Sequence, residues 1–97
     1  MEEPRLTLIV TLTVRRDATS DFDLFERHAA AIMSGHGGRI EQVVRLDGDE
    51  SGATFREVHT VSFPDEPSFH AYRNDPALGA WKALRERTIL HTEFVRA

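Results

Sequence analysis

The residue of this sequence that is best suited to acid–base chemistry is His59, which lies in an apolar stretch rather than in a polar loop. Glu57 stands two residues earlier, so in an extended strand both side chains point to the same face. A histidine oriented by a carboxylate is a common general base, and His59 is therefore the candidate catalytic base. The alternative is a structural role, with a partly buried imidazole hydrogen-bonded to the backbone or to Tyr72.

A second group of candidates lies between residues 63 and 85, where aromatic side chains alternate with cations. Such a segment predicts an aromatic-lined pocket between the second helix and the sheet, suited to a planar or acidic small molecule. In this interpretation Arg85 stabilises an anion during catalysis. The alternative is that the aromatic residues are core and the arginines are solvated or pair with nearby acids. The predicted ligand-binding residues are Phe63, Phe69, Tyr72, Arg73 and Trp81.

Other kinds of site receive little support from the composition. The five histidines show no HxH or HxxxH spacing, and cysteine is absent, so neither a metal site nor a cofactor is expected. A net charge of −4 without a basic cluster makes nucleic acid an unexpected partner. No apolar run approaches the roughly 18 residues that span a bilayer, so no membrane association is expected. The acidic start, Glu2 and Glu3, does not suit a secretory signal, and we expect a cytoplasmic protein.

The elements that position the candidates follow from hydrophobic periodicity. Alternation predicts strands over residues 5–14, 39–46, 53–63 and 88–95. An apolar stripe predicts a first helix over residues 21–34, with Ser20 as its N-cap and acids including Glu26 complementing its positive start. Asp65 and Asp75 are predicted to cap two segments of a broken second helix. The order is βαββαβ within a single domain, residues 1–97.

This order predicts a ferredoxin-like α+β sandwich, a four-stranded antiparallel sheet with two helices on one face. Phe55, His59 and Phe63 share a parity that we assign to the helix-covered face. The opposite face is too apolar to be left in water, which predicts a homodimer formed sheet to sheet. The residues assigned to that open face are Thr7, Ile9, Thr11, Val43, Val58, Thr60, Ile89 and Val95.

Four short motifs carry a resemblance to a known superfamily. They are His36-Gly-Gly-Arg39, Val61-Ser-Phe-Pro-Asp-Glu-Pro-Ser-Phe69, Tyr72-Arg-Asn-Asp-Pro76 and Trp81-Lys-Ala-Leu-Arg85. The chain resembles the dimeric α/β-barrel superfamily, and most closely its small stand-alone domains of uncharacterised function. More distantly it is similar to the antibiotic-biosynthesis-type monooxygenases, which need no cofactor. The resemblance implies the same fold and a homodimer, but the superfamily also contains isomerases, haem-degrading enzymes and stress-responsive proteins.

The sequence departs from the active-site patterns of these relatives. The cofactor-independent monooxygenases carry a tryptophan at the end of the third strand and an asparagine four residues earlier, where this chain has Phe63 and His59. Haem-degrading members use an asparagine on the first strand, which is absent here. Two hypotheses follow. The protein binds a small ligand, with cofactor-independent oxidation or isomerisation as the reaction, or it is a non-catalytic dimeric module with a structural, stress-response or regulatory role.

Overall fold

The computed structural model describes residues 5–97, so the acidic N-terminal residues considered above lie outside the described range. The elements follow the predicted order, with the second helical region divided into three short helices. The strands are β1 (Leu6–Arg15), β2 (Arg39–Asp47), β3 (Thr54–Phe63) and β4 (Ile89–Arg96). A 3₁₀ helix (Arg16–Ala18) precedes α1 (Thr19–Gly35), and α2 (Glu66–Arg73), α3 (Pro76–Gly79) and α4 (Lys82–Thr88) follow β3.

The four strands form one antiparallel sheet in the order β2-β3-β1-β4. Helices pack against the sheet, and the predicted ferredoxin-like α+β fold is confirmed. Alternate residues of β1 and β3 are buried beneath α1, as the period-two pattern predicts. The core contains Leu8, Val10, Leu12 and Val14 from β1, Phe55, Val61 and Phe63 from β3, and Phe22, Phe25, Ala29 and Met33 from α1.

The central strands pair without interruption, whereas both edge strands contain an irregularity that changes which face a side chain occupies. The β2–β3 register shifts between Ile40 and Gln42. As a result Val43 lies opposite the buried His59, on the helix-covered face, while Val44 lies opposite Val58 on the open face. The prediction that Val43 belongs to the open face is therefore wrong, because one extra residue in a strand inverts its alternation.

The same effect occurs in β4. Its register with β1 shifts between Thr13 and Val14, so that Ile89 pairs with Val14 while His91 pairs with Thr13. Leu90 is the extra residue at this irregularity and is 58% exposed. Ile89 is thus a core residue, only 6% exposed, rather than part of the open face as predicted.

The helix starts agree with two of the three predicted caps. The Asp65 side chain accepts a hydrogen bond from the Ser68 N–H, and Asp75 accepts one from the Ala77 N–H, each at 2.8 Å. Ser20 is not an N-cap, because the chain enters α1 directly from the 3₁₀ helix and no side chain caps that start. No helix within residues 5–97 is long and apolar enough to cross a membrane.

Candidate functional site

A cavity of about 360 Å³ lies between the helix-covered face of the sheet and helices α1, α2, α3 and α4. This volume is at the lower end of the range for ligand pockets, roughly 300–1,000 Å³. Most of the wall is apolar and is contributed by the strands β1 and β3 below and by the helices above. Representative apolar lining residues are Val10, Phe25, Met33, Val61, Phe63 and Phe69.

A row of three paired side chains leads from the edge of the sheet to this cavity. Arg45 of β2 lies directly opposite Glu57 of β3. Its guanidinium donates two hydrogen bonds to Glu57 Oε2, at 2.9 and 2.6 Å. The other carboxylate oxygen, Glu57 Oε1, accepts a hydrogen bond of 2.8 Å from Nε2 of His59. Glu57 and His59 are 7% and 5% exposed, so this row holds charged and polar groups inside the core.

The second ring nitrogen of His59 faces a carboxyl group from α1. Nδ1 lies 3.7 Å from Glu26 Oε2. Burial raises the pKa of Glu26 to about 6; the charge of His59 opposes the rise, while those of Glu57 and Asp23 add to it. Glu26 therefore exchanges a proton in the neutral range, where an ordinary glutamate is fully ionised.

The two sides of His59 consequently have different roles. In the neutral imidazole, donation from Nε2 to Glu57, which is itself held by Arg45, leaves Nδ1 as the acceptor. Nδ1 and the Glu26 carboxyl face each other and both groups line the cavity. Together they can accept a proton from a bound molecule, which is general base chemistry. The described chain, residues 5–97, contains no cluster of three or more side chains that could hold a metal ion.

Two polar side chains on the helical wall face the same cavity. Burial raises the pKa of Tyr72 to about 12; the negative charge of Glu26 adds to this effect and Arg85 opposes it. Tyr72 is therefore a neutral hydroxyl that can donate a hydrogen bond. Arg85 of α4 is partly buried, and its Nη2 donates to Thr92 Oγ1 of β4 at 2.7 Å. These two groups can stabilise negative charge on a ligand.

The structure brings most of the predicted site residues together. His59, Phe63, Phe69, Tyr72, Arg73 and Arg85 all line the cavity. Trp81 does not: its ring stacks on the imidazole of His28 at a centroid distance of 3.7 Å and an interplanar angle of 15°. It directly precedes α4, and this position directs its side chain to α1. Trp81 is thus placed against α1 and outside the cavity. The prediction treated the second segment, from Pro76 onward, as continuous, whereas it is broken between α3 and α4.

Two residues of the site were not among the predicted site residues. Glu26 was assigned to the start of α1, yet it lies in the second turn, on the buried face. The signal was present in the sequence, since Glu26 is four residues after Phe22, three before Ala29 and seven before Met33, which is the apolar stripe itself. Arg45 had no comparable signal, because the irregularity in β2 determines which face it occupies.

Comparison with known proteins supports the fold. No family model matches the sequence, and no curated protein matches it. Among solved structures, a protein of unknown function from Rhodopseudomonas palustris aligns with a TM-score of 0.76 at 13% identity, over 98% of this chain and 82% of that one.

Two further structural neighbours are described as oxygenases. A presumed antibiotic biosynthesis monooxygenase from Nitrosomonas europaea aligns with a TM-score of 0.70 at 15% identity, over 96% and 88% of the two chains. SnoaB, a cofactor-independent oxygenase from Streptomyces nogalater, aligns with a TM-score of 0.66 at 12% identity, over 97% and 94%. At these identities the likeness concerns the fold, and it agrees with the resemblance read from the sequence motifs.

Proposed function

We propose that this protein binds a small planar molecule in the cavity and removes a proton from it, with His59 and Glu26 as the base. The observation that carries the proposal is the arrangement of His59 between two carboxyl groups, one fixed by Arg45 and the other facing the cavity. A carboxylate that orients an imidazole is the arrangement that prepares a histidine to accept a proton.

The proposed reaction begins with a ligand that has an acidic hydrogen, such as a phenol, an enol or a ring carbon between two oxygen substituents. The hydrogen leaves as a proton to Nδ1 of His59, and the electron pair of the broken bond stays on the ligand. Glu26 shares the transferred proton, since its raised pKa lets it hold one near neutral pH. Tyr72 donates a hydrogen bond to the ligand oxygen on which negative charge develops, and Arg85 adds a fixed positive charge at the helical wall of the cavity.

Two outcomes are open to such an anion. If the proton returns to a different atom of the ligand, the reaction is an isomerisation. If dioxygen acts as co-substrate, the anion supplies the electrons that reduce it: one oxygen atom replaces a ring hydrogen as a quinone carbonyl, the other leaves as water, and the oxidation needs no cofactor. The second outcome is supported by the fold shared with SnoaB, which is described as a cofactor-independent oxygenase. Proton removal is common to both, so it is the step to test first.

The ring hydrogens of 1,3-dihydroxynaphthalene provide a direct assay, because they exchange with D₂O through the keto tautomer. We expect the protein to accelerate this exchange above buffer, as followed by proton NMR. His59→Gln and Glu26→Gln should each reduce the acceleration by about 10²-fold or more. Arg87→Gln is the matched control, since Arg87 pairs with Asp21 on the surface and does not line the cavity.

If the probe binds and exchange is not accelerated, proton transfer is excluded as the function and a non-catalytic role is favoured. That second candidate has an observation of its own in the open face of the sheet. Its side chains include Ile9, Val44, Leu46, Val58 and Val95, with Val44, Leu46 and Val95 each at least 40% exposed. A surface of this kind suits burial against another sheet.

We therefore also propose that two copies associate through their open faces. The adjacent valines Val43 and Val44 allow a matched test, because they lie on opposite faces of β2 with similar exposures of 48% and 40%. Val44→Lys should raise the dissociation constant of the dimer by at least about tenfold, as measured by analytical ultracentrifugation, since it places an unpaired charge in an apolar interface. Val43→Lys should leave the dimer unchanged. Equal effects of the two substitutions, or a monomeric parent protein, would contradict the proposal.

A further inference from the structure

The charged groups that line the cavity are unevenly distributed. The acid–base groups Glu26 and His59 come from α1 and β3, while three cations come from the helical region after β3. These cations are Arg73, Lys82 and Arg85. A ligand in this cavity therefore meets a proton acceptor at one wall and positive charge at another.

The first two cations are already engaged. The Arg73 guanidinium lies over the rings of Phe69 and Phe94, at 5.6 and 5.0 Å from their centroids. The Lys82 ammonium is largely exposed and lies 3.9 Å from the carboxylate of Glu86. Neither group needs a ligand to satisfy it, and both lie where solvent screens their charge.

Arg85 differs from both. It is partly buried, and its hydrogen bond goes to the neutral hydroxyl of Thr92 at 2.7 Å. Among residues 5–97 no carboxylate comes within ion-pair distance of it; the nearby ion pairs use Lys82 and Arg87. A guanidinium has five N–H donors, so one bond to Thr92 leaves a planar edge for two parallel bonds to an anion.

From this geometry we infer that the ligand carries a carboxylate, which Arg85 binds while the acidic end of the same molecule meets His59 and Glu26. The inference rests on the proposed function and narrows it to planar hydroxy- or enolisable carboxylic acids. A monoanion is favoured because a single unpaired guanidinium is available, and its planar edge can form two parallel hydrogen bonds with one carboxylate. The cavity volume of about 360 Å³ limits the ligand to a small ring system.

A matched pair of probes tests the charge of the ligand without any need for turnover. The compound 6-hydroxy-2-naphthoate has a hydroxyl and a carboxylate at opposite ends, and 2-naphthol is the same molecule without the carboxylate. In isothermal titration at pH 7.5, we expect the naphthoate to bind at least about tenfold more tightly, which is a typical value for one charge-assisted pair.

Arg85→Gln should remove this preference: the affinity for the naphthoate should fall at least about tenfold, and the affinity for 2-naphthol should change by less than about threefold. Arg85→Lys keeps the charge without the planar edge and should retain part of the preference. Arg87→Gln, on the surface of the same helix, should retain all of it. Thermal melting of each variant shows whether it is folded.

Equal binding of the two probes, no binding of either, or a preference that survives Arg85→Gln would overturn the inference. These outcomes are separate from a failure of proton transfer. If the preference is present in His59→Gln, carboxylate recognition stands whether or not exchange is catalysed. If exchange is catalysed while both probes bind equally, the proposed reaction is supported and recognition of a carboxylate by Arg85 is excluded.

Discussion

The two ends of the covered face of the sheet are built in opposite ways. At one end, which we call the packed end, Val14, Phe22 and Phe55 are at most 2% exposed, and the two phenyl rings meet edge to face at 5.9 Å. At the other, the cavity end, α2–α4 cover the sheet without filling the space beneath them. One small core can thus combine close packing around Phe22 and Phe55 at one end with an open cavity at the other.

The largest expected effect comes from breaking the packed end. Phe55→Ala should lower the free energy of unfolding by about 3–5 kcal/mol, because it leaves a cavity between Phe22 and the sheet. Urea denaturation measures the loss. Phe94→Ala, at the cavity end, should cost clearly less, since Phe94 is already 44% exposed. Similar losses at the two positions would show that the ends do not differ in packing.

A smaller effect should come from removing the buried acid at the cavity end. The pKa of Glu26 is about 6 in the folded protein and about 4.5 in an unfolded chain, so the folded state holds the proton more strongly. Its stabilising contribution is complete below pH 4.5 and is lost as the pH rises through 6. Relative to Glu26→Gln, the parent protein should therefore lose about 2 kcal/mol of stability between pH 4 and pH 8.

Urea unfolding of both proteins at these two pH values provides the measurement. The two stability profiles should diverge between pH 4.5 and 7, with Glu26→Gln the more stable relative to the parent at the alkaline end. Parallel profiles would mean that Glu26 is solvated like a surface acid, and it would then no longer qualify as part of a buried base.

The smallest effect on stability should come from filling the cavity. Ala30 of α1 lines it, and Ala30→Leu places an extra side chain in empty space. We expect a change in unfolding free energy below about 1 kcal/mol, because little existing packing must move. Binding of 6-hydroxy-2-naphthoate, measured by titration, should nevertheless be lost. A large destabilisation would show that the cavity end is packed more tightly than its volume indicates.

The sequence predicts the centre of this molecule better than its edges, and the reason is physical. Alternation in β1 and β3 assigns faces correctly because ten residue pairs follow each other without a shift. Val43 and Ile89 were placed on the wrong face because one extra residue in each edge strand inverts the alternation, and local sequence does not mark where that residue falls.

The candidate site shows the same limit. His59 could be found from its residue type and strand parity, and Tyr72 and Arg85 from the cluster of aromatic and cationic side chains on the second helical region. Glu26 could have been found from its place in the apolar stripe of α1, but charge at a helix start offered a simpler explanation. Arg45 and Trp81 depend on a strand irregularity and on the break between α3 and α4, which are properties of the folded chain.

The row from Arg45 to His59 limits the routes by which a proton can leave the site. A guanidinium does not release its proton in a protein, so the solvent-facing end of this row is closed to proton exchange. One oxygen of Glu57 is hydrogen-bonded to Arg45 and the other to His59, so Glu57 does not pass a proton to any further group. In the proposed reaction, a proton taken up at Nδ1 can therefore leave only on the cavity side, either back to the ligand or to water through the mouth of the cavity. If the proton goes to water, the proposal implies that the product leaves before the base is regenerated, because both use the same opening.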